Sequence, residues 1–375
     1  MIRNILIISS NYTGHGHKSI TEALCESFEE YNDVNIKVVD GFSLGGNTLL
    51  KIGKSYGPIT RTSESLWELI WELSSVKAAL VDEAFQLLIE NNFIDLLKEA
   101  KPDLILSVHP NFNGSIINIL EKYNYKVPFT TFIADLVSIY PLWADPRADY
   151  IISPTEEAKE KSIEHGVAEE KIKVLGFPVR SRFCKSVEEN KECNEDEPLK
   201  CLIMSGGEGS GNMRKIAEIL LDNFNCIVQI AAGRNKRLKN RLEETLVEKY
   251  GDRVKIYGFM ENIQDLMIAS DIAFTRGSPN VMMEAVSCNV PLVITGALPG
   301  QEEGNPDFMQ KHNLGVVCTK AKDIKNTISD LLADNGGKLN KIKSSQRAYA
   351  NPDVAKNIAD FILNFENNNG IETII

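Results

Sequence analysis

Nothing in this sequence approaches the roughly 18 consecutive apolar residues that a membrane-spanning helix requires. If the chain meets a bilayer, it does so from the surface. The apolar run after Arg3 in MIRNILIISS ends after about five residues and has no small-residue cleavage site, so it reads as a buried strand rather than a signal peptide. Zinc spacing is missing too. The seven cysteines, at 25, 184, 193, 201, 226, 288 and 318, contain no CxxC pair, which excludes a zinc ribbon and fits a reduced, cytoplasmic setting. Positive charge is scarce: 41 Lys and Arg against 52 Asp and Glu leave a net charge of −11. Nucleic-acid binding driven by bulk charge is thereby excluded, and any attraction to an anionic surface must come from a local patch.

What the sequence has is alternation. Short branched runs bounded by Gly, Pro, Asp or Asn, namely Ile5–Ser9, Ile36–Asp40, Leu104–Val108, Phe129–Ala134 and Tyr150–Ser153, predict buried strands. Helix-length amphipathic segments such as Lys18–Glu30 and Phe85–Glu99 separate them. This predicts an α/β fold with a parallel sheet covered by helices on both faces. The pattern pauses at Ser186–Pro198, charged and nearly free of apolar residues, and restarts at Leu199–Met204. The expected organisation is therefore two Rossmann-like domains facing a cleft: a first domain over 1–183, a linker over 184–198 and a second domain over 199–350. A terminal helix within 351–375 is expected to cross back to the first domain.

Four loops at predicted strand ends carry chemistry. Thr13-Gly14-His15-Gly16-His17-Lys18 lies between strand one and helix one, where free N–H groups favour an oxygen-rich ligand. Its spacing is not the dinucleotide fingerprint. A histidine there suits general-base work near neutral pH, while the plain alternative is a turn whose histidines only cap it. Ser205–Gly211, with glycines at 206, 207, 209 and 211, opens the second half and lacks the Gly-Lys-Ser/Thr ending of an ATPase phosphate loop. Arg276-Gly277-Ser278-Pro279-Asn280 could present amides to a diphosphate, with Glu284 accepting from ribose hydroxyls. Pro299–Asn305 sets Gln301 beside Glu302, a pair suited to sugar hydroxyls. His109-Pro110 and Asp135 end two further strands, and Trp143 follows; each has an equally ordinary packing role.

Taken together, these residues resemble the monogalactosyldiacylglycerol synthase and processive diacylglycerol glucosyltransferase family. They are more distantly similar to the GlcNAc transferase that makes the lipid-linked peptidoglycan precursor. The resemblance spans about residues 3–345, through TGHGH, Lys-Ser-Tyr and Leu-Trp-Glu-Leu at 54–69, KPDLILSVHP, Phe-Ile-Ala-Asp with Pro-Leu-Trp, Lys-Val-Leu-Gly-Phe-Pro-Val-Arg, the glycine-rich loop and PGQEEGN. It implies the GT-B fold and inverting transfer of a hexose from a UDP-sugar to a diacylglycerol-like membrane lipid, at the cytoplasmic membrane surface. By that resemblance His17 is the base and Asp135 a second catalytic residue. Gly206, Gly207, Gly209, Phe259, Arg276, Ser278, Glu284, Gln301 and Glu302 would hold the donor. Gly16, His109, Tyr56, Trp67, Trp71 and Trp143 would meet acceptor or membrane. No cofactor is implied and, with no Asp-x-Asp pair in the chain, no metal. The sequence departs from the family at Tyr140, where His is usual, and at Asn280 and Val281, where Gly and Thr are usual.

The segment Gly41–Leu80 is the least Rossmann-like. Leu49, Leu50, Tyr56, Leu66, Trp67, Ile70 and Trp71 interleave with Lys51, Lys54 and Arg61, a pattern that fits an interfacial element or a helical cover over the sheet. Two other functions stay open on the sequence: a non-hydrolysing sugar-nucleotide epimerase, and a non-catalytic UDP-sugar-binding protein.

Overall fold

The computed structural model describes residues 3–13, 15–184, 197–204 and 212–364. The chain divides into two compact units, Met1–Arg180 with Pro352–Ile375, and Ser181–Asn351. The break between the units falls at Arg180, a few residues before the expected end of the first domain. Most of the expected linker and the loop holding Gly206, Gly207 and Gly209 lie outside the described residues.

Each unit is built on one six-stranded parallel sheet. The first sheet has β1 (Asn4–Ser9), β2 (Asn35–Asp40), β3 (Leu104–Ser107), β4 (Phe129–Phe132), β5 (Tyr150–Ser153) and β6 (Ile172–Val174), in the order β2-β1-β3-β4-β5-β6. The second has β7 (Leu199–Met204), β8 (Cys226–Ala231), β9 (Val254–Tyr257), β10 (Ile272–Thr275), β11 (Leu292–Ile294) and β12 (Gly315–Val317), in the order β12-β11-β10-β7-β8-β9. The α/β architecture of two Rossmann-like halves is thus present. Ile5, Leu6, Ile7 and Ile8 are all buried, because a central parallel strand is covered by helices on both faces. The edge strand β2 keeps Val38 exposed.

The strand order reverses between β1 and β3 in the first sheet, and between β7 and β10 in the second. Loops diverge at such a reversal and leave a crevice at the carboxyl ends of the strands. His17 and His109 stand at the first, and Arg276 at the second.

Within the first unit, helix Val354–Leu363 packs on helix Gly16–Phe28. Tyr31 Oη donates to Asp360 at 2.5 Å, and Phe361 meets Tyr150 edge-on at 5.1 Å. Gly176 has φ +100, and a side chain there would strike Val354, so glycine lets the terminal segment lie close. The segment after β2 forms helices Gly41–Leu44, Gly46–Thr62 and Glu64–Val76 before the long helix Ala78–Ala100.

Candidate active site

The first cluster is built on the turn after β1. Ser10 Oγ accepts from the backbone N–H groups of Tyr12 and Thr13 at 3.2 Å each and from Thr13 Oγ1 at 2.8 Å. Helix Gly16–Phe28 starts three residues after Thr13 with no side-chain cap, so its first amides lack the usual capping oxygen. Gly16 is its first residue. Thr21 Oγ1 donates to the His17 carbonyl at 2.8 Å and lies 2.7 Å from Ser9 Oγ, tying the helix to its strand.

His17 Nδ1 lies 2.6 Å from the carbonyl oxygen of Val108, at the end of β3. A carbonyl only accepts, so Nδ1 carries the proton and Nε2 the lone pair. Burial lowers the His17 pKa to about 4, with the Val108 bond opposing in part. The half-buried ring is therefore a neutral, oriented base at physiological pH.

His109 lies beside it, the ring centroids 4.5 Å apart. Its Nδ1 accepts from Asn111 N–H at 3.3 Å, and its Nε2 is 3.0 Å from Thr13 Oγ1. Because the Thr13 hydroxyl donates to Ser10, His109 donates through Nε2. Burial, and then the neighbouring His17, hold its pKa well below 6.5. At 3% exposure and with both nitrogens occupied, His109 does not reach an acceptor as expected; it supports the His17 ring.

Trp143 also requires correction. It is fully buried, 6.1 Å from the His17 ring, and its Nε1 donates to Asp135 Oδ2 at 2.7 Å. A ring so enclosed cannot meet a membrane. Asp135, 3% exposed, is the buried acceptor of this bond. The nitrogen of His17 that a carboxylate would orient is already held by Val108.

The helices after β2 carry the remaining aromatic candidates. Tyr56 meets Trp67 edge-on at 5.1 Å, Trp67 lies 6.4 Å from Trp71, and Trp71 lies 4.2 Å from Tyr140. The Tyr140 hydroxyl is 3.4 Å from Asn111 Oδ1, and burial followed by the nearby Asp135 carboxylate keeps it protonated. These half-buried rings form a chain along one side of helix Glu64–Val76. Leu49 is fully buried, as a helical cover over the sheet requires. The exposed apolar side chains are instead Ile52, Leu66, Leu69, Val76 (82% exposed) and Leu80. A spacing of three and seven residues from 66 to 69 and 76 was the available signal for a second, outward stripe.

In the second unit, β10 leads into Arg276. Gly277 N–H donates to the Gly296 carbonyl at 2.8 Å, and helix Pro279–Ser287 begins behind Ser278 with no side-chain cap. Arg276 Nη2 donates to Glu302 Oε1 at 3.1 Å, and its Nε forms an ion-pair contact with Oε2 at 2.8 Å. Oε2 also accepts from Leu298 N–H at 2.8 Å. The buried Glu302 thus holds Arg276, a task its sequence position does not reveal. Asn305 Nδ2 donates to the Gly277 carbonyl at 2.7 Å, binding the 299–305 loop to the 276–278 loop. Glu284 is buried on its helix, Gln301 is half-buried and Phe259 is 46% exposed. Among the described residues no group of three His, Cys, Asp or Glu stands close enough to hold a metal.

Residues 17–179 match the family model of monogalactosyldiacylglycerol (MGDG) synthase, and residues 210–334 match that of glycosyl transferases group 1. The first half of the chain is thus similar to the monogalactosyldiacylglycerol synthase family, and the second half to glycosyl transferases group 1. The MGDG synthase match begins at His17 itself. The chain is 27% identical over 380 residues to monogalactosyldiacylglycerol synthase 2, chloroplastic, of Arabidopsis thaliana, covering 95% of this chain and 79% of the relative. In fold it is similar to MurG of Acinetobacter baumannii, with TM-score 0.61, 12% identity and coverage of 96% of this chain and 99% of MurG. It is also similar to UDP-GlcNAc 2-epimerase from Neisseria meningitidis bound to UDP-GlcNAc, with TM-score 0.63, 15% identity and coverage of 96% and 99%. Transferases and epimerases share the GT-B fold, so the fold alone does not separate an MGDG synthase from an epimerase.

Proposed function

We propose that this chain is an inverting glycosyltransferase that moves a hexose from a UDP-sugar to a diacylglycerol-like membrane lipid. The observation that carries the reading is the His17 ring, uncharged, with Nδ1 anchored on Val108 and Nε2 left as the basic atom. In the reaction, Nε2 takes the proton of the acceptor hydroxyl as that oxygen attacks the anomeric carbon. The bond from that carbon to the diphosphate oxygen breaks and UDP leaves. Charge developing on the diphosphate is met by amides at the start of helix Pro279–Ser287 and by Arg276. Gln301 and Glu284 serve the sugar and ribose hydroxyls.

The acceptor reaches the site from a membrane surface. No helix among the described residues is long and apolar enough to cross a membrane, and the stripe Leu66, Leu69, Val76 offers apolar anchors while the exposed Lys51 and Lys54 meet headgroups. This supports peripheral association with the cytoplasmic membrane face.

The direct test incubates the protein with UDP-galactose or UDP-glucose and diacylglycerol vesicles, then identifies lipids by mass spectrometry. A new glycosyldiacylglycerol with equimolar UDP is expected. Neither glycolipid nor UDP from either donor refutes the reading, and interconversion of UDP-GlcNAc without an acceptor replaces it with epimerase activity.

A further inference from the structure

The turn that leads from β1 toward His17 is held by side chains rather than by the strand ladder. The successive backbone N–H groups of Asn11, Tyr12 and Thr13 all find side-chain oxygens. Ser10 Oγ takes the last two, and Asp40 Oδ2 takes the first at 3.0 Å. Asp40 ends β2 directly beside Ser9. Its other oxygen, Oδ1, accepts from Phe42 N–H at 2.9 Å and caps helix Gly41–Leu44. One half-buried carboxylate thus bridges the turn and the start of the helical segment that follows β2. A helix cap needs only one oxygen; here the second reaches the turn.

Both arms of the bridge end at His109. Along the first, the turn carries Thr13, whose Oγ1 lies 3.0 Å from His109 Nε2. Along the second, the buried Phe42 ring meets His109 edge-on at 5.2 Å. Gly53 leaves that ring its room, since a side chain there would sit 3.0 Å from Phe42 Cγ. His109 in turn backs the His17 ring, the centroids 4.5 Å apart. A further tie joins the same segment to the same turn: Lys54 Nζ lies 5.0 Å from the Tyr12 ring centroid. We propose that Asp40 is a positioning residue, whose two oxygens fix the turn and the helical segment against one another and so hold His17 in its reactive orientation. This rests on the transferase reading above, in which His17 is the base. The sequence marks Asp40 only as the polar end of a strand, an ordinary place for a turn former.

Asp40→Ser and Asp40→Asn separate the two roles of the carboxylate. Both replacements are good helix caps, but each has a single acceptor oxygen, so the cap survives and the tie to Asn11 is lost. Melting temperature should stay near that of wild type. Turnover of UDP-sugar with diacylglycerol vesicles should fall about 10- to 100-fold, at unchanged UDP affinity by calorimetry. A readout independent of turnover is NMR titration of the histidine-labelled chain, with the His17 signal assigned by its loss in His17→Ala. Its wild-type midpoint of about 4 should move up toward 6.5 in both variants, as the loosened ring gains solvent. An unchanged midpoint in the folded variants overturns the proposal, as does wild-type turnover, because either leaves Asp40 a cap and nothing more. Should Asp40→Ser fail to fold, Asp40→Asn, the closer in shape, carries the test alone. A wild-type chain that makes no glycolipid overturns the transferase reading, while a raised His17 midpoint in the variants still upholds the hold of Asp40 on the ring.

Discussion

Replacing His17 by alanine removes the basic nitrogen while leaving the donor loops, which belong to the other unit, untouched. Loss of a general base costs about 10²–10⁴-fold in turnover, or about 3–5 kcal/mol in the barrier. UDP binding should persist at wild-type affinity. The pH profile makes the prediction sharper. The base must be unprotonated, and burial lowers its pKa from 6.5 to about 4. The wild-type kcat/KM should therefore stay flat from pH 8 to about 5 and fall only toward pH 4, whereas an ordinary imidazole would begin to lose activity near pH 7. The same shift enters stability. As pH falls from 6.5 to 4 the unfolded chain takes up a proton that the folded chain refuses, so stability declines through that window and the loss is complete near pH 4. A drop from 6.5 to about 4 corresponds to at most about 3 kcal/mol, less to the extent that solvent reaches the half-buried ring. His17→Ala removes this component, so its melting temperature should fall less than that of wild type between pH 7 and 5. Turnover is measured by UDP release with diacylglycerol vesicles, and folding at each pH by circular dichroism. A kinetic limb near 6.5, or an active alanine variant, would refute the assignment of Nε2 as the base.

Other perturbations test the surroundings. Trp143→Phe keeps an aromatic ring, leaves a cavity where the rest of the buried indole stood and strips Asp135 of its Nε1 donor; it should cost about 2–5 kcal/mol by denaturant melts and lower kcat while calorimetry shows UDP affinity unchanged. Leu69→Asp with Val76→Asp alters side chains that are exposed, so stability should move by no more than about 0.5 kcal/mol while vesicle co-sedimentation is lost; retained sedimentation would remove this stripe from the membrane contact. Asp82 packs against Gly114, and its pKa is raised to about 7 by burial first and then by Asp145. A carboxyl with a raised pKa lowers stability as pH climbs from its unfolded value toward 7, so Asp82→Asn should raise the melting temperature more at pH 8 than at pH 4.

The strands were readable wherever an apolar run was long enough. β5 and β7 begin and end where branched residues and turn formers put them, and the amphipathic span Phe85–Glu99 lies within helix Ala78–Ala100. The three-residue strands β6 and β12 were not anticipated, since so short a run has no measurable period. The helical segment after β2 was recognised as distinct, with an interfacial element and a helical cover both left open; in the structure Leu49 faces inward, while Leu69 and Val76 face out. Hydrophobicity states that a residue seeks cover, and does not state whether protein or lipid provides it.

The same division runs through the site. Sequence alone determined the two-fold Rossmann layout and set His17 between the first strand and helix, because periodicity and turn chemistry are local properties. It could not determine what each loop side chain would face. His109 and Trp143 were expected to meet substrate, and the tertiary structure turns both inward behind His17. Only three-dimensional packing brings Val108 to the His17 ring, 91 residues away in sequence, Glu302 to Arg276 across 26 and Arg234 onto Phe259. These long-range pairs fix a tautomer, engage an arginine and set a guanidinium over a ring, because protonation and charge respond to neighbours in space whatever their distance along the chain.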